Sequence, residues 1–164
     1  MAKYNVKITW ESGDSSQVQL DGTTKLRSNF TVEELANTKA KESVKLILNA
    51  EVMEFLDMLQ EFRTWFNKSM TVSSFYRTES FNESCGGSSN SLHLLALAMD
   101  WYIQGHTEQQ RSNVKNKWEQ ICKDHGKIGG INYYTNGYHL DCAEDKLGYQ
   151  TFQTRDYRGK NGDW

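Results

Sequence analysis

Any fold of this chain must accommodate the stretch from Ser91 to Asp100, which presents the imidazole of His93 and the carboxylate of Asp100 seven positions apart. A second imidazole, that of His139, lies far downstream. Two histidines and one aspartate can bind a zinc ion and leave a coordination position free for water, as a catalytic zinc requires. The spacing alone also allows a second interpretation, in which His93 is a hydrogen-bonded core residue and Asp100 is a capping residue.

Length and composition indicate one globular domain. The 164 residues suit a single core, and five Trp, eight Tyr and seven Phe supply large apolar surfaces. The formal net charge of −2 gives no support for general nucleic-acid binding. No apolar run reaches the length of about 18 residues that a membrane span needs. Three cysteines without a C-x-x-C pair are more typical of reduced thiols than of a disulfide framework.

Apolar residues that recur every three or four positions predict two main helices. The longer pattern covers residues 41–66, and the second covers residues 107–125 with Thr107 as its N-cap. A shorter helix should begin at Thr31, because Glu34 lies three residues later and can complete a capping box. Each main helix has one apolar face, so both are expected to pack on a core.

Alternation of apolar and polar residues predicts the strands. Residues 1–25 are expected to form a hairpin extension, and residues 26–164 a single globular unit. Because alternate residues of a strand share a face, His139 and Asp141 should point to the same side. Strands of the main unit are expected at residues 70–75, 98–103, 128–134 and 138–142, with 149–153 as a candidate for the last one.

Four short motifs follow one another between residues 26 and 142. They are Leu26–Leu35, Ser73–Thr78, the Ser-x-His of residues 91–93 followed by Asp100, and Gly129–Tyr134 leading into His139. In order and in content they resemble the zinc D-Ala-D-Ala carboxypeptidase family. The superfamily of these enzymes also includes L-Ala-D-Glu endopeptidases of bacteriophages and the hedgehog signalling domain.

This resemblance implies both a fold and an activity. The fold would be α+β, with a small antiparallel sheet that carries a zinc site and is flanked by two main helices. The resemblance implies that His93, Asp100 and His139 bind Zn2+. The implied activity is cleavage of the stem peptide of bacterial peptidoglycan, at either a D-Ala-D-Ala or an L-Ala-D-Glu bond.

The resemblance also assigns residues to the substrate. Arg77 would pair with a substrate carboxylate or stabilise a developing oxyanion, because a guanidinium can donate two parallel hydrogen bonds. Tyr76 and Ser91 are assigned to the substrate site as well. Ser91 has an alternative role, which is to cap the turn that follows it.

Some positions depart from the family pattern. Asn136 stands where many members have an acidic general base, and an amide cannot take up a proton near neutral pH. Asp141 is the substitute candidate, either as the base or as a carboxylate that orients a metal ligand. Ala96 replaces the usual Gly, which is unfavourable only if its φ angle is positive. Leu97 replaces a common Arg.

The N-terminus lacks the apolar core of a signal peptide. Together with the resemblance, this suggests a monomeric bacteriophage endolysin that stays in the host cytoplasm until it is released to the cell wall. Two alternatives remain open at this point. One is a zinc-containing module that binds the wall without catalysis. The other is a structural phage component, for which the N-terminal hairpin offers a binding element.

Overall fold

Ten strands and four helices occur in the part of the chain that this computed structural model describes, residues 2–37 and 45–164. The strands are β1 (Lys3–Thr9), β2 (Ser15–Asp21), β3 (Lys25–Arg27), β4 (Phe30–Thr31), β5 (Leu46–Leu48), β6 (Thr71–Ser74), β7 (Ala98–Tyr102), β8 (Gly130–Tyr134), β9 (Gly137–Asp141) and β10 (Gln153–Asp156). The helices are α1 (Val32–Leu35), α2 (Ala50–Phe66), α3 (Glu79–Ser84) and α4 (Glu108–Asp124). The 3₁₀ turns Leu92–Leu95 and Glu144–Leu147 follow α3 and β9. The predicted α+β class is therefore confirmed.

The central sheet has five strands in the order β10-β8-β9-β7-β6. Its neighbours are antiparallel except for β10, which runs parallel to β8. The sheet is thus mixed at one edge, whereas the sequence predicted an antiparallel one. One residue from each of the five strands lies in register with its neighbours across the whole sheet. We call these five residues the central row: Ser74, Asp100, His139, Asn132 and Arg155.

The side chains of the central row point to one face of this sheet, and the main helices α2 and α4 cover the other face. Trp101 follows Asp100 on β7 and therefore points to the other face, where it is fully buried. Its ring meets Phe62 of α2 edge-on at 5.7 Å, and Phe62 meets Trp118 of α4 at 6.1 Å. Such aromatic pairs each stabilise a fold by about 0.5–1.5 kcal/mol beyond their burial. This packing fixes β7, the strand that carries Asp100.

The predicted helix over residues 41–66 is wrong in its first part. Residues 41–44 lie outside the described residues, and Leu46–Leu48 forms β5, which pairs in parallel with β1. The helix begins at Ala50, because Asn49 caps it by accepting a hydrogen bond from the Val52 N–H at 2.8 Å. A short apolar run fits either a helix or a buried strand, so periodicity alone cannot locate this boundary.

The predicted N-terminal hairpin is confirmed as β1 and β2, which pair antiparallel. Together with β5 the hairpin forms a three-stranded sheet, in which Val6 is fully buried. The hairpin is therefore built into the core through β5. The division of the chain at residue 25 stays a prediction.

Local signals at the helix ends are confirmed. Thr31 and Glu34 form a capping box at α1, and Thr107 forms one with Gln110 at α4. The last strand is displaced from its predicted position, because β10 covers Gln153–Asp156. Helix α3 was not predicted. No helix among the described residues has the length and apolar character needed to cross a membrane.

His125, at the C-terminal end of α4, links the two main helices. Its Nδ1 and Nε2 lie 3.1 Å from Glu54 Oε2 and 2.9 Å from Glu61 Oε2, both on α2. Burial lowers the pKa of His125, but the hydrogen bonds to Glu54 and Glu61 outweigh burial and raise this pKa above its ordinary value of 6.5. The hydrogen bond to His125 is the main cause that lowers the pKa of Glu54.

These shifts predict a pH-dependent contribution to stability. A raised histidine pKa stabilises the fold below the unfolded-state value, and the gain is lost as the pH rises through the folded-state pKa. Replacing His125 with glutamine should lower Tm by about 1–3 °C at about pH 6 and by much less at about pH 9. At acid pH the gain fades again as Glu54 becomes protonated. Thermal unfolding across this pH range measures the difference.

Lys123→Gln provides the matched control at the same helix end. Lysine, unlike histidine, is a residue type that ordinarily keeps its positive charge throughout this pH range. Its difference in Tm from the unmodified protein should therefore stay constant over that range. An equally constant difference for His125→Gln would show that the ion pairs with α2 contribute nothing to stability.

Candidate metal centre

The fold brings His93, Asp100 and His139 together from three separate elements. His93 lies in the 3₁₀ turn Leu92–Leu95, Asp100 lies on β7, and His139 lies opposite Asp100 on β9. His93 Nε2 is 3.2 Å from Asp100 Oδ2, and His139 Nδ1 is 2.9 Å from Asp100 Oδ1. One ligand atom from each residue lies within 4.8 Å of the others. The three side chains therefore form a possible metal site.

The outer nitrogen of each histidine ring is already engaged. His93 Nδ1 donates to the carbonyl oxygen of Phe75 at 2.8 Å, and His139 Nε2 donates to Asp141 Oδ2 at 2.8 Å. When the rings are neutral, as metal ligands must be, the inner nitrogens direct lone pairs towards the Asp100 carboxylate. Three acceptors that converge in this way need either a ring proton or a metal ion among them.

A divalent metal ion fits this arrangement. Ligand bonds of about 2.0–2.1 Å in a tetrahedron place neighbouring donor atoms about 3.3 Å apart, and the candidate donor atoms here all lie within 4.8 Å of one another. Histidine ligands usually donate their other N–H to a carboxylate or a carbonyl, as both rings do here. The nitrogen and oxygen donors suit zinc.

The charges of the cluster favour an ionised Asp100. Burial raises the pKa of Asp100, but the neighbouring His93 and His139 lower it far more, so its pKa is below the ordinary value. Burial lowers the pKa of His139, whereas its hydrogen bonds to Asp100 and Asp141 raise this pKa to about 10. Asp100 can therefore offer a charged oxygen at neutral pH.

Arg77 lies beside this cluster. Its Nη2 donates to Asp100 Oδ2 at 3.3 Å, and its Nε donates to Ser74 Oγ at 2.9 Å. Its Nη1 is 3.4 Å from the amide oxygen of Asn82, a buried residue of α3 that the sequence did not indicate. The Asn82 amide in turn donates to the Ser88 carbonyl at 2.7 Å, which ties the Gly- and Ser-rich segment of residues 85–90 to Arg77.

Ser91 and Tyr76 have different positions. Ser91 Oγ accepts a hydrogen bond from the His93 N–H at 3.3 Å, so Ser91 caps the turn that carries His93. Tyr76 lines a small cavity of about 150 Å³ that it shares with Glu33 and Asn37. The cleft beside Asp100 is a separate one. The structure thus brings Ser91 next to the metal site through its capping role and turns Tyr76 towards another cavity.

A cleft of about 300 Å³ opens beside Asp100. Trp164 forms part of its wall and stacks on Tyr134 with ring centroids 4.5 Å apart. Gly137 permits this approach, because a Cβ atom at that position would overlap the Trp164 ring. The other lining residues are Ser73, Ser74, Arg77, Phe81, Cys85 and Tyr102. The Trp164 ring therefore lies at this cleft.

A family model described as Peptidase M15 matches residues 28–141 of the chain, which is more than half of its length. The chain belongs to the peptidase M15 family. This result confirms the resemblance to the zinc D-Ala-D-Ala carboxypeptidases. None of the curated proteins matches the chain. The matched residues include His93, Asp100, His139 and Arg77, whereas the N-terminal hairpin and the segment after Asp141 lie outside the match.

In this M15 peptidase, Asp141 lies behind His139. It is completely buried, and its Oδ2 contacts the ring nitrogen that faces away from Asp100. Asn136, at the usual place of the acidic base, lies in the turn between β8 and β9 and donates its backbone N–H to the Trp164 carbonyl at 2.8 Å. The His139 ring therefore lies between Asp141 and Asp100.

Glu144 is a further buried acid near the site. It begins the 3₁₀ turn after β9, where it is completely buried and paired with Arg155. Burial is the main cause that raises the pKa of Glu144; hydrogen bonds from Arg155 lower it, and the nearby Asp141 raises it further. The feature of the sequence that points to its contact with Asp141 is their separation by three residues.

Ala96 has the positive φ angle that the family glycine would adopt. Its φ is +56°, and it ends the 3₁₀ turn that carries His93. Replacing Ala96 with glycine relieves about 1–2 kcal/mol of backbone strain, but it removes a buried methyl worth about 0.8 kcal/mol and adds chain entropy to the unfolded state that costs about 0.5–1 kcal/mol. We therefore expect the free energy of unfolding to change by less than about 1 kcal/mol.

Ala98→Gly is the matched control, because Ala98 is equally buried but lies within β7. That substitution loses the methyl and gains chain entropy, so it should destabilise by about 1–2 kcal/mol. Urea unfolding of both variants measures the contrast. Equal losses for the two variants would mean that the φ angle of Ala96 carries no strain.

Proposed function

We propose that this M15 peptidase is a zinc-dependent hydrolase of peptidoglycan stem peptides. The observation that supports this proposal best is the convergence of the His93, Asp100 and His139 acceptors on one point beside an open cleft. Family membership supports a peptidase, and M15 peptidases depend on a metal. A zinc ion held by these three residues would polarise the scissile carbonyl and activate a water molecule.

Arg77 is the residue that we assign to the substrate. An arginine carries five N–H donors, so its contacts with Ser74, Asp100 and Asn82 leave donors for a substrate oxygen. Its guanidinium is fixed by these contacts and lies at the cleft. A fixed guanidinium can bind a carboxylate or an oxyanion without reorganising during the reaction.

For Asp141 we propose the orienting role. Its hydrogen bond to His139 Nε2 fixes both the tautomer and the rotation of the ring, so that Nδ1 faces Asp100. Since Asp141 is completely buried behind the ring, we do not assign it the proton transfer from water. Its contribution is to the geometry and basicity of His139.

Two defined substrates test the activity and identify the bond. Zinc-loaded protein is incubated with a pentapeptide ending in D-Ala-D-Ala and with a muramyl peptide containing the L-Ala-D-Glu bond, and products are identified by mass spectrometry. Release of free D-alanine indicates a carboxypeptidase, and a new L-alanyl terminus indicates an endopeptidase. His93→Ala should release neither product. Intact substrates in every reaction of the zinc-loaded protein would contradict the proposal.

A non-catalytic zinc-containing wall-binding module is the second candidate. It is favoured by Asn136 at the usual place of the base and by the burial of Asp141. Such a module would bind zinc stoichiometrically and sediment with cell walls while leaving their peptides intact. The presence or absence of the cleavage products described above therefore distinguishes the two functions. The setting of a monomeric bacteriophage endolysin in the host cytoplasm stays a prediction.

A further inference from the structure

Glu144 and Arg155 form an ion pair that lies outside the four sequence motifs. Both carboxylate oxygens of Glu144 accept hydrogen bonds from Arg155, Nη1 to Oε1 at 2.8 Å and Nη2 to Oε2 at 3.0 Å. Glu144 is completely buried in the 3₁₀ turn after β9, whereas Arg155 lies on the edge strand β10. The pair therefore ties the end of β9 to the edge of the sheet.

The Glu144 carboxylate also meets that of Asp141. A Cβ atom at Gly130 would overlap Glu144 Oε1 and lie 3.1 Å from Asp141 Oδ2, so the two carboxylates converge above a residue without a side chain. Ala98 and Gly130 are the register partners of Asp141 on the two neighbouring strands. Small residues on both sides thus leave room for a buried acidic pair.

From Asp141 the contacts continue to the metal site. Asp141 Oδ2 accepts from His139 Nε2 at 2.8 Å, and His139 Nδ1 faces Asp100 Oδ1 at 2.9 Å. Arg155 also belongs to the central row, opposite Asn132, which is opposite His139. Arg155 is therefore connected with His139 in two ways, through Glu144 and Asp141 and through Asn132 of the central row.

Packing alone does not account for this arrangement. Two buried carboxylates close together disfavour folding, and apolar residues of similar size are often equally or more stable in such places. Arg155 pairs with Glu144 and His139 pairs with Asp141, so the two buried acids require two separate cationic partners. An arrangement that destabilises the fold beside a functional group is typical of residues that serve the function.

We propose that Glu144, held by Arg155, is a positioning residue for the metal centre. It fixes the Asp141 carboxylate against His139 Nε2 and thereby holds the ring so that Nδ1 faces the metal. This inference rests on the metal centre of the proposed function. It adds Glu144 and Arg155 to Asp141 as residues that orient the metal ligands. Both lie beyond the segment that the family model matches.

The test is the affinity of the folded protein for Zn2+, measured by competition with a chromogenic chelator. Outer-shell partners of a metal ligand contribute about 10–100-fold to metal affinity, and Glu144→Ala is expected to weaken zinc binding by that factor. Glu108→Ala is the matched control, because Glu108 also pairs with an arginine, Arg158, but is exposed and lies at the start of α4. Distant substitutions change affinity by no more than about twofold.

Circular dichroism shows whether Glu144→Ala folds. If it does not, Arg155→Lys takes its place, since Arg155 is partly exposed and lysine keeps the charge without the two-pronged contact; its zinc affinity should also fall. A lower Tm with zinc affinity within about twofold of the unmodified protein would overturn the inference, because a purely structural role has that result.

The outcome for the unmodified protein separates this inference from the proposed function. Absence of zinc binding by the unmodified protein would contradict both. Zinc binding and peptide hydrolysis by the unmodified protein, with undiminished zinc affinity in Glu144→Ala, would contradict only the positioning role. In each case the readout is metal affinity, so it does not depend on the peptide bond that is cut.

Discussion

Replacing His93 with alanine should abolish stoichiometric zinc binding and lower stem-peptide hydrolysis by at least about 10³-fold, because a bound metal contributes several kcal/mol to transition-state stabilisation. His93 supplies one of the converging acceptors, and its Nε2 lies 3.2 Å from Asp100 Oδ2. Asp100 and His139 alone leave the ion with two protein donors. Metal content by mass spectrometry and the rate of product release measure the two effects.

His106→Ala is the control for this substitution. His106 is also a histidine with an engaged ring, since its Nδ1 lies 2.7 Å from the hydroxyl of Tyr138, but it is not part of the cluster. This variant should bind zinc with unchanged stoichiometry. If His93→Ala keeps a full equivalent of tightly bound zinc while folded, the assignment of the metal centre is wrong.

Replacing Arg77 with methionine should lower kcat/KM by about 10²–10³-fold, the effect typical of removing a donor that stabilises developing negative charge. The long apolar side chain fills much of the same space, so the cleft beside Asp100 should persist. Zinc stoichiometry should be retained, because the three proposed ligands are unchanged. Steady-state kinetics on the cleaved peptide, together with metal analysis, measure this outcome.

Arg77→Lys and Arg27→Met complete this experiment. Lysine keeps the charge but cannot reproduce a two-pronged contact, so Arg77→Lys should remain well below the unmodified activity. Arg27 pairs with Asp57 away from the metal site, and its substitution should leave kcat/KM unchanged. Unchanged kinetics in Arg77→Met would remove Arg77 from the reaction. A loss of zinc would instead show that Arg77 acts by holding Asp100.

Sequence patterns predicted the features that depend on neighbouring residues. A capping box joins residues three positions apart, and the one predicted at Thr31 was correct, as was the N-cap predicted at Thr107. The shared face of His139 and Asp141 follows from the alternation along a single strand, and their contact confirms it. The three possible metal ligands were found through motif order, since their spacing also suited ordinary core residues.

Features that depend on distant partners were missed. Leu46–Leu48 is a strand because β1 lies beside it, and nothing within the segment itself distinguishes it from a helical turn. Glu144 is buried because Arg155 and Gly130 accommodate it. Trp164 reaches the cleft because Gly137 leaves space for its ring. Each of these depends on a contact between segments that the sequence does not pair.

We propose that His93, Asp100 and His139 hold a metal ion that supports cleavage of peptidoglycan stem peptides. Digestion of purified peptidoglycan, with zinc-loaded and with chelator-stripped protein, followed by mass analysis of the soluble products, tests it most directly. We expect zinc-loaded protein to release D-alanine or fragments with new peptide termini, and stripped protein to release neither until zinc is restored. Equal product release with and without zinc, or none from walls of several chemotypes, would contradict this claim.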